Sequence, residues 1–196
     1  GLYLSKILIP EVAHSDSVND IEVPLPKEHV NVIDAAASGA SDGMRVAINV
    51  AAMLIAFLAF IAMFDFMIGL LVPGLSMARI LSILFSPIAS LLGVSAKDVP
   101  VVAELLGTKL VTNEFVAYIK MSSDYGNVLT ARSEMLVTFA LTGFANFGSV
   151  GIILGGIGML APTRRSDLAR LSARALLAGF VVTLINASIV AILVAP

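Results

Sequence analysis

The chain has 196 residues, 58% of them hydrophobic and 13% charged, with a mean hydropathy of +0.98. A soluble domain carries roughly 25% charged residues, so this surface is too apolar for water and an integral membrane protein is the expected class. A net charge of −2 with no basic run argues against a nucleic-acid partner, and the absence of Cys excludes disulfides and thiolate metal sites.

Residues 1–43 are the most polar section. The sequence opens on Gly1, and no charged n-region with a cleavage site precedes an apolar core, so no signal peptide is read. "GLYLSKILIP" has the pattern of the tail of an apolar helix closed by Pro10, and "EVAHSDSVNDIEVPLPKEHV" that of an aqueous loop. His14 and His29 fall in this loop without metal-ligand spacing and read as solvated. "NVIDAAASGASDGMR" predicts a helix start with Asn31 as its cap and Asp34 at its third position.

"VAINVAAMLIAFLAFIAMF", Val46 to Phe64, is the first clear span, with 19 uncharged residues bracketed by Arg45 and Asp65. At a helical rise those two charges lie about 30 Å apart, which places one near each membrane interface. "MARILSILFSPIASLLGVS" is apolar but short and carries Pro87 in its middle, the pattern of an interfacial or kinked helix.

The following stretch, "AKDVPVVAELLGTKLVTNEFVAYIKMSSDYG", is apolar yet holds Lys97, Asp98, Glu104, Lys109, Glu114 and Lys120. Two helical halves, roughly 99–110 and 115–121, flank "TNE". A hairpin that enters and leaves from one side fits better than a simple span, because irregular backbone at membrane depth needs protein or a cavity around it. Glu114 is the outstanding residue, since a carboxylate in a membrane segment defaults to a functional reading; capping of a helix start or pairing with Lys109 is the structural alternative. Lys109 precedes it by five residues, off the same helical face, so a pair within one helix is not favoured.

A longer segment, Glu134 to Ala161, has the soft centre "LTGFANFGSVGI". Asn146 lies mid-span, where its amide needs partners for both N–H and C=O, either from a ligand or from neighbouring helices. Phe144 and Phe147 read first as packing residues, and Ser149 as able to bond back to the preceding turn. "GGIG", Gly155 to Gly158, suits close helix packing, because it lacks the lysine and the strand of a phosphate loop. The Arg-rich "PTRRSDLAR" follows and predicts a cytoplasmic loop at 162–170. The last span, Leu171 to Ala195, then ends outside. No Ser-His-Asp or paired-carboxylate arrangement supports hydrolysis, so an enzyme is not read; an intramembrane hydrolase using Glu114 would need a nucleophile or metal partner that the sequence does not supply.

Four ordered blocks, "NVIDAAASGASDGMRVAINVAAMLIAF", "LLGTKLVTNEFVAY", "ALTGFANFGSVGI" and "GMLAPTRRSDLARL", closely resemble the C-terminal half of the concentrative nucleoside transporter family. The resemblance covers essentially the whole chain. It implies one inverted repeat of a larger, homotrimeric, all-helical secondary transporter in the cell (cytoplasmic or inner) membrane. Such a protein takes up nucleosides such as uridine by symport with sodium or protons, through an elevator-like movement. This section would hold three transmembrane helices, one re-entrant helical hairpin and an interfacial helix. In residue ranges, 1–43 would be the end of a preceding helix, a cytoplasmic loop and a helix lead-in, and 44–72 the scaffold transmembrane helix at the trimer interface. The interfacial helix would occupy 77–94, the re-entrant hairpin 95–122, the discontinuous transmembrane helix 132–161 and the last transmembrane helix 166–195.

By the same resemblance the ribose contacts are Glu114, Asn146 and Ser149, with Phe144 near base and sugar, and Asn113, Thr108 and Lys109 in support. No cofactor or metal ligand is implied in this section; the coupling cation belongs to the complete transporter. Ribose hydroxyls both donate and accept, which suits a carboxylate and an amide. Two departures stand out. The family's first half, with its base-reading hairpin and the helix that completes the cation site, is absent from these residues, which favours a second reading: a structural remnant that transports nothing, or one chain of a split transporter. Asp65 also stands where the family pattern leads one to expect no charge.

Overall fold

The computed structural model describes residues 1–10 and 29–194; the polar loop with His14 and the last two residues lie outside the described residues. Among the described residues eight α-helices run in order: α1 (Leu2–Leu8), α2 (Val32–Leu71), α3 (Met77–Leu91), α4 (Val99–Val111), α5 (Glu114–Tyr125), α6 (Ala131–Leu141), α7 (Phe147–Leu160) and α8 (Arg165–Leu193). A 3₁₀ turn, Pro162–Arg164, joins the last two.

Helix α2 begins where the cap pattern places it, with the Asn31 side chain accepting from the Asp34 amide at 2.9 Å. It then runs unbroken for 40 residues, so the lead-in and the predicted span are one rod. At 1.5 Å per residue that rod is about 60 Å long, roughly twice the hydrocarbon core. Gly39 and Gly43 do not interrupt it, because an isolated glycine costs only about 1 kcal/mol and no proline follows until Pro73. His29 is exposed at the start of this rod, 3.8 Å from Asp34. Only Ile61 of α2 is buried, and Ile48, Ile55, Phe60, Phe66 and Leu70 stand exposed, as expected of a helix solvated by lipid or further helices. Helices α2 and α8, the latter with its preceding turn, are the two among the described residues long and apolar enough to cross a bilayer unaided.

The core lies among α3, α4, α6 and α8, where Phe85, Val102, Leu105, Leu106, Leu136 and Phe180 meet. Phe85 and Phe180 stack with centroids 5.0 Å apart. Helix α3 continues through Pro87, held by the burial of Phe85 and Ala89 on either side of it, and ends at Leu91 before a turn in which Gly93 has φ +80°. The closest approach is at Gly107, where a Cβ would come within 2.6 Å of the Ala78 carbonyl oxygen, so only glycine lets α4 lie on the α3 backbone.

Helices α4 and α5 form a hairpin. Two of the charges that made this stretch odd are paired within it: Lys120 donates to Glu104 at 2.6 Å, and the Tyr125 hydroxyl donates to the other Glu104 oxygen at 3.1 Å. These contacts carry α5 on to Tyr125, beyond the expected hairpin end. At the hairpin base, buried Asp98 accepts from the Thr130 amide and hydroxyl, at 3.1 and 2.7 Å, joining α4 to the cap of α6. Arg132 donates to the carbonyls of Ala191, at 2.9 Å, and Val194, so α6 starts where α8 ends. Asp65 is explained by α3: its carboxylate accepts from the Met77 amide at 2.7 Å, neutralising an unpaired donor at that helix's start.

Candidate functional site: a hairpin tip on a broken helix

The hairpin turns at Thr112 and Asn113. Asn113 caps α5 by accepting from the Val116 amide at 2.8 Å, and the Thr112 hydroxyl donates back to the Thr108 carbonyl at 2.7 Å. Glu114, half-buried, is therefore the first residue of α5 and stands at the tip.

Opposite the tip, the segment 132–161 is interrupted. Helix α6 stops at Leu141 and α7 starts at Phe147, leaving Thr142 to Asn146 without helical bonds. Gly143 makes the break possible. Its φ is +92°, and a Cβ there would lie 2.7 Å from the Thr183 methyl, so both conformation and space exclude a larger residue. Asn146 restarts the helix with a reciprocal cap. The Ser149 amide donates to Asn146 Oδ1 at 2.8 Å, and the Asn146 amide donates to Ser149 Oγ at 3.3 Å. Ser149 Oγ also donates to the Asn146 carbonyl at 2.6 Å.

The two halves meet in one bond: Asn146 Nδ2 donates to Glu114 Oε2 at 3.0 Å. Glu114 Oε1 makes no hydrogen bond among the described residues, so an acceptor remains for a hydroxyl donor. Asn146 and Ser149 are buried, and the amide and hydroxyl offer both donor and acceptor atoms beside that carboxylate.

The remaining predicted site residues separate into two groups. Lys109, fully buried, donates to the carbonyls of Ala140 (2.8 Å) and Thr142 (3.1 Å) and to Thr183 Oγ1 (3.0 Å). It bonds the broken helix and α8 rather than Glu114. Thr108 is buried beside it in sequence, with a hydroxyl that finds no partner among the described residues. Phe144 is 55% exposed and projects from the break, where with Gly143 and Ser149 it borders a cavity of about 270 Å³. Thr183 and Asn186 of α8 border the same cavity. They were not singled out from sequence, although two polar residues three apart in an apolar span were a readable signal. Among the described residues no group of three His, Asp or Glu side chains is placed to hold a metal ion.

A broken helix whose polar residues face a hairpin tip, in an apolar helical chain, is the arrangement of a helical membrane transporter. Residues 1–191 match the family described as Na+ dependent nucleoside transporter C-terminus, and the chain belongs to that family. It is 43% identical over 195 residues to a protein of Bacillus subtilis named uncharacterized transporter YutK, covering 96% of this chain and 48% of that protein. It is 41% identical over 216 residues to sodium/nucleoside cotransporter 1 of Mus musculus, covering 100% of this chain and 33% of that protein. The solved structure of a CNTnw variant in the intermediate 2 state is similar with a TM-score of 0.84 at 39% identity, over 98% of this chain and 48% of that one. The chain thus spans between a third and a half of the relatives it matches. The family and its named members are transporters, not enzymes.

Proposed function

We propose that this chain supplies the ribose-contacting part of a transporter that takes up nucleosides, such as uridine, by symport with sodium. The observation that carries this reading is the Asn146–Glu114 bond across the gap between hairpin tip and broken helix, in a chain of this family. Without substrate, the amide and the carboxylate satisfy each other. A ribose diol inserted there would donate to Glu114 and both donate to and accept from Asn146, replacing one internal bond by several. Ser149 holds Asn146 in place and presents its own hydroxyl, and Phe144 gives an apolar face to base or sugar. Sodium rather than protons is favoured because relatives are named sodium/nucleoside cotransporters.

In this reading α2 spans the membrane as a scaffold helix at a homotrimer interface, and α3 is the interfacial helix at the membrane surface. The α4–α5 hairpin is re-entrant, α6–α7 is a discontinuous span and α8 a third. The hairpin and broken helix move together past α2, whose contact with them is made chiefly through the glycine-lined side of α7. The other wall of the site, which reads the base, and the cation site come from a first half.

Uridine uptake by the intact transporter, with and without sodium, tests this. Glu114→Gln and Asn146→Ala should each lower sodium-dependent uptake at least tenfold, on the order of 1.5–3 kcal/mol for a hydrogen bond to a charged group. The amount in the membrane should not change. Wild-type uptake in both variants would sink the assignment.

A further inference from the structure

The broken helix leaves two ends that need compensation. At the α6 end the carbonyls of its last turn have lost their helical partners. The Thr138 carbonyl accepts from the Tyr118 hydroxyl at 2.7 Å, and the Phe139 carbonyl from Thr142. Those of Ala140 and Thr142 accept from Lys109. At the α7 end, the amides are capped by Asn146, whose side chain is held by Glu114. One hairpin therefore reaches both ends of the break, with Lys109 of α4 on one and Glu114 of α5 on the other.

The signs match the helix dipoles. The ammonium sits on the negative C-terminal end of α6, and the carboxylate stands near the positive N-terminal end of α7. Lys109 is 0% exposed, its Nζ has one acceptor for each of its three protons, and it lies 5.4 Å from the Phe180 ring centroid. Among the described residues no carboxylate lies within salt-bridge distance of it, and it does not border the cavity beside Phe144. Its charge is spent on helix-end carbonyls. Its third acceptor, Thr183, also supplies the methyl group that a side chain at Gly143 would strike. The ammonium thus fixes the residue that bounds the break from α8.

From this geometry we infer that Lys109 is a positioning residue: a tethered cation that holds the α6 end of the break in register with the hairpin tip, so that Asn146 meets Glu114 at the spacing a ribose diol requires. The inference rests on the ribose reading above and adds a residue that never touches the substrate.

The test compares uptake efficiency for uridine with that for 2′,3′-dideoxyuridine, in the intact transporter and in Lys109→Gln, Thr183→Val, Asn146→Ala and the double variant Lys109→Gln/Asn146→Ala. A site that hydrogen-bonds two hydroxyls discriminates against the analogue lacking them, and Lys109→Gln should lower that ratio by about tenfold. Thr183→Val keeps the methyl against Gly143 but removes one acceptor, and should lower the ratio in the same direction by about threefold. The double variant should discriminate no worse than Asn146→Ala alone. A merely structural lysine would reduce the amount of transporter in the membrane and leave the ratio unchanged, which overturns the inference. Should Lys109→Gln fail to reach the membrane, Thr183→Val decides: a lowered ratio supports the inference and an unchanged one overturns it. An unchanged ratio in Asn146→Ala would overturn the ribose reading itself, and the inference with it.

Discussion

Asn146 performs two tasks with opposite ends of one amide. Oδ1 accepts from the Ser149 amide and starts α7, while Nδ2 donates to Glu114. Aspartate would keep the first task, since a carboxylate caps a helix N-terminus well, but would set a negative charge against Glu114. Asn146→Asp should therefore leave α7 folded and abolish uridine uptake. Exchanging the two chemistries, as Asn146→Asp with Glu114→Gln, restores one donor opposite one carboxylate. The double variant should recover about tenfold over Asn146→Asp alone, a coupling within the roughly 0.5–3 kcal/mol of contacting residues. Strictly additive losses in an uptake cycle would show that the bond does not link the two residues in function. Glu114 and Asn146 stood out in the sequence because a polar group in an apolar span is itself a signal, whereas Ser149 read only as a residue able to bond back to its own turn, and its candidacy came from the family resemblance. The role of Lys109 was not. Its partners are backbone carbonyls 31 and 33 residues further on and a threonine 74 residues away, none of which a side-chain pattern encodes. Asp65 was readable as an end-of-span charge, whereas its use as an acceptor for the Met77 amide depends on how the chain turns at Pro73 and Gly74.

Helix contacts show the same division between pattern and geometry. The charged stretch at 97–120 announced a hairpin because no uncharged window was long enough to span, and the structure pairs Glu104 with Lys120 inside it. The length of α2 was hidden, since its polar first third resembles a lead-in and nothing in its composition marks that it continues the span. The glycines of α7 were readable as packing residues, but not which of them touch α2. A Cβ at Gly155 would meet the Asn49 backbone oxygen at 3.1 Å and Met53 Cγ at 3.0 Å, whereas at Gly156 the nearest atom is Val50 Cγ2 at 3.6 Å. Gly155→Ala should thus cost about 1–2 kcal/mol by overpacking against backbone that cannot yield. Gly156→Ala should gain up to about 1 kcal/mol from helix propensity. Thermal inactivation of the two purified variants in detergent would separate them, and equal midpoints would mean that α2 and α7 are not in close contact.

For the molecule as a whole, two sets of ends are fixed by bonds rather than by composition. Arg132 holds the start of α6 to the end of α8, and Asp98 holds the base of the hairpin to Thr130. The turn at Gly126 to Thr130 and the C-terminal end of α8 therefore lie together, and in a bilayer they should share one face. The turn after α7, at the far end of α8, carries Arg164, Arg165 and Arg170, with Arg164 bonded to Asp167 at 2.7 Å, and should take the opposite face. Because cationic loops are retained on the cytoplasmic side, residues 162–170 should be cytoplasmic, and the hairpin base and the end of α8 should be outside. The section contains no Cys, so single cysteines report on this directly once any elsewhere in the intact transporter are replaced. Asn127→Cys should react with a membrane-impermeant maleimide in intact cells, whereas Ser166→Cys should react only after permeabilisation. The reverse pattern would invert the orientation, and labelling of both from one side would refute the bonded arrangement of α6 and α8 across the bilayer.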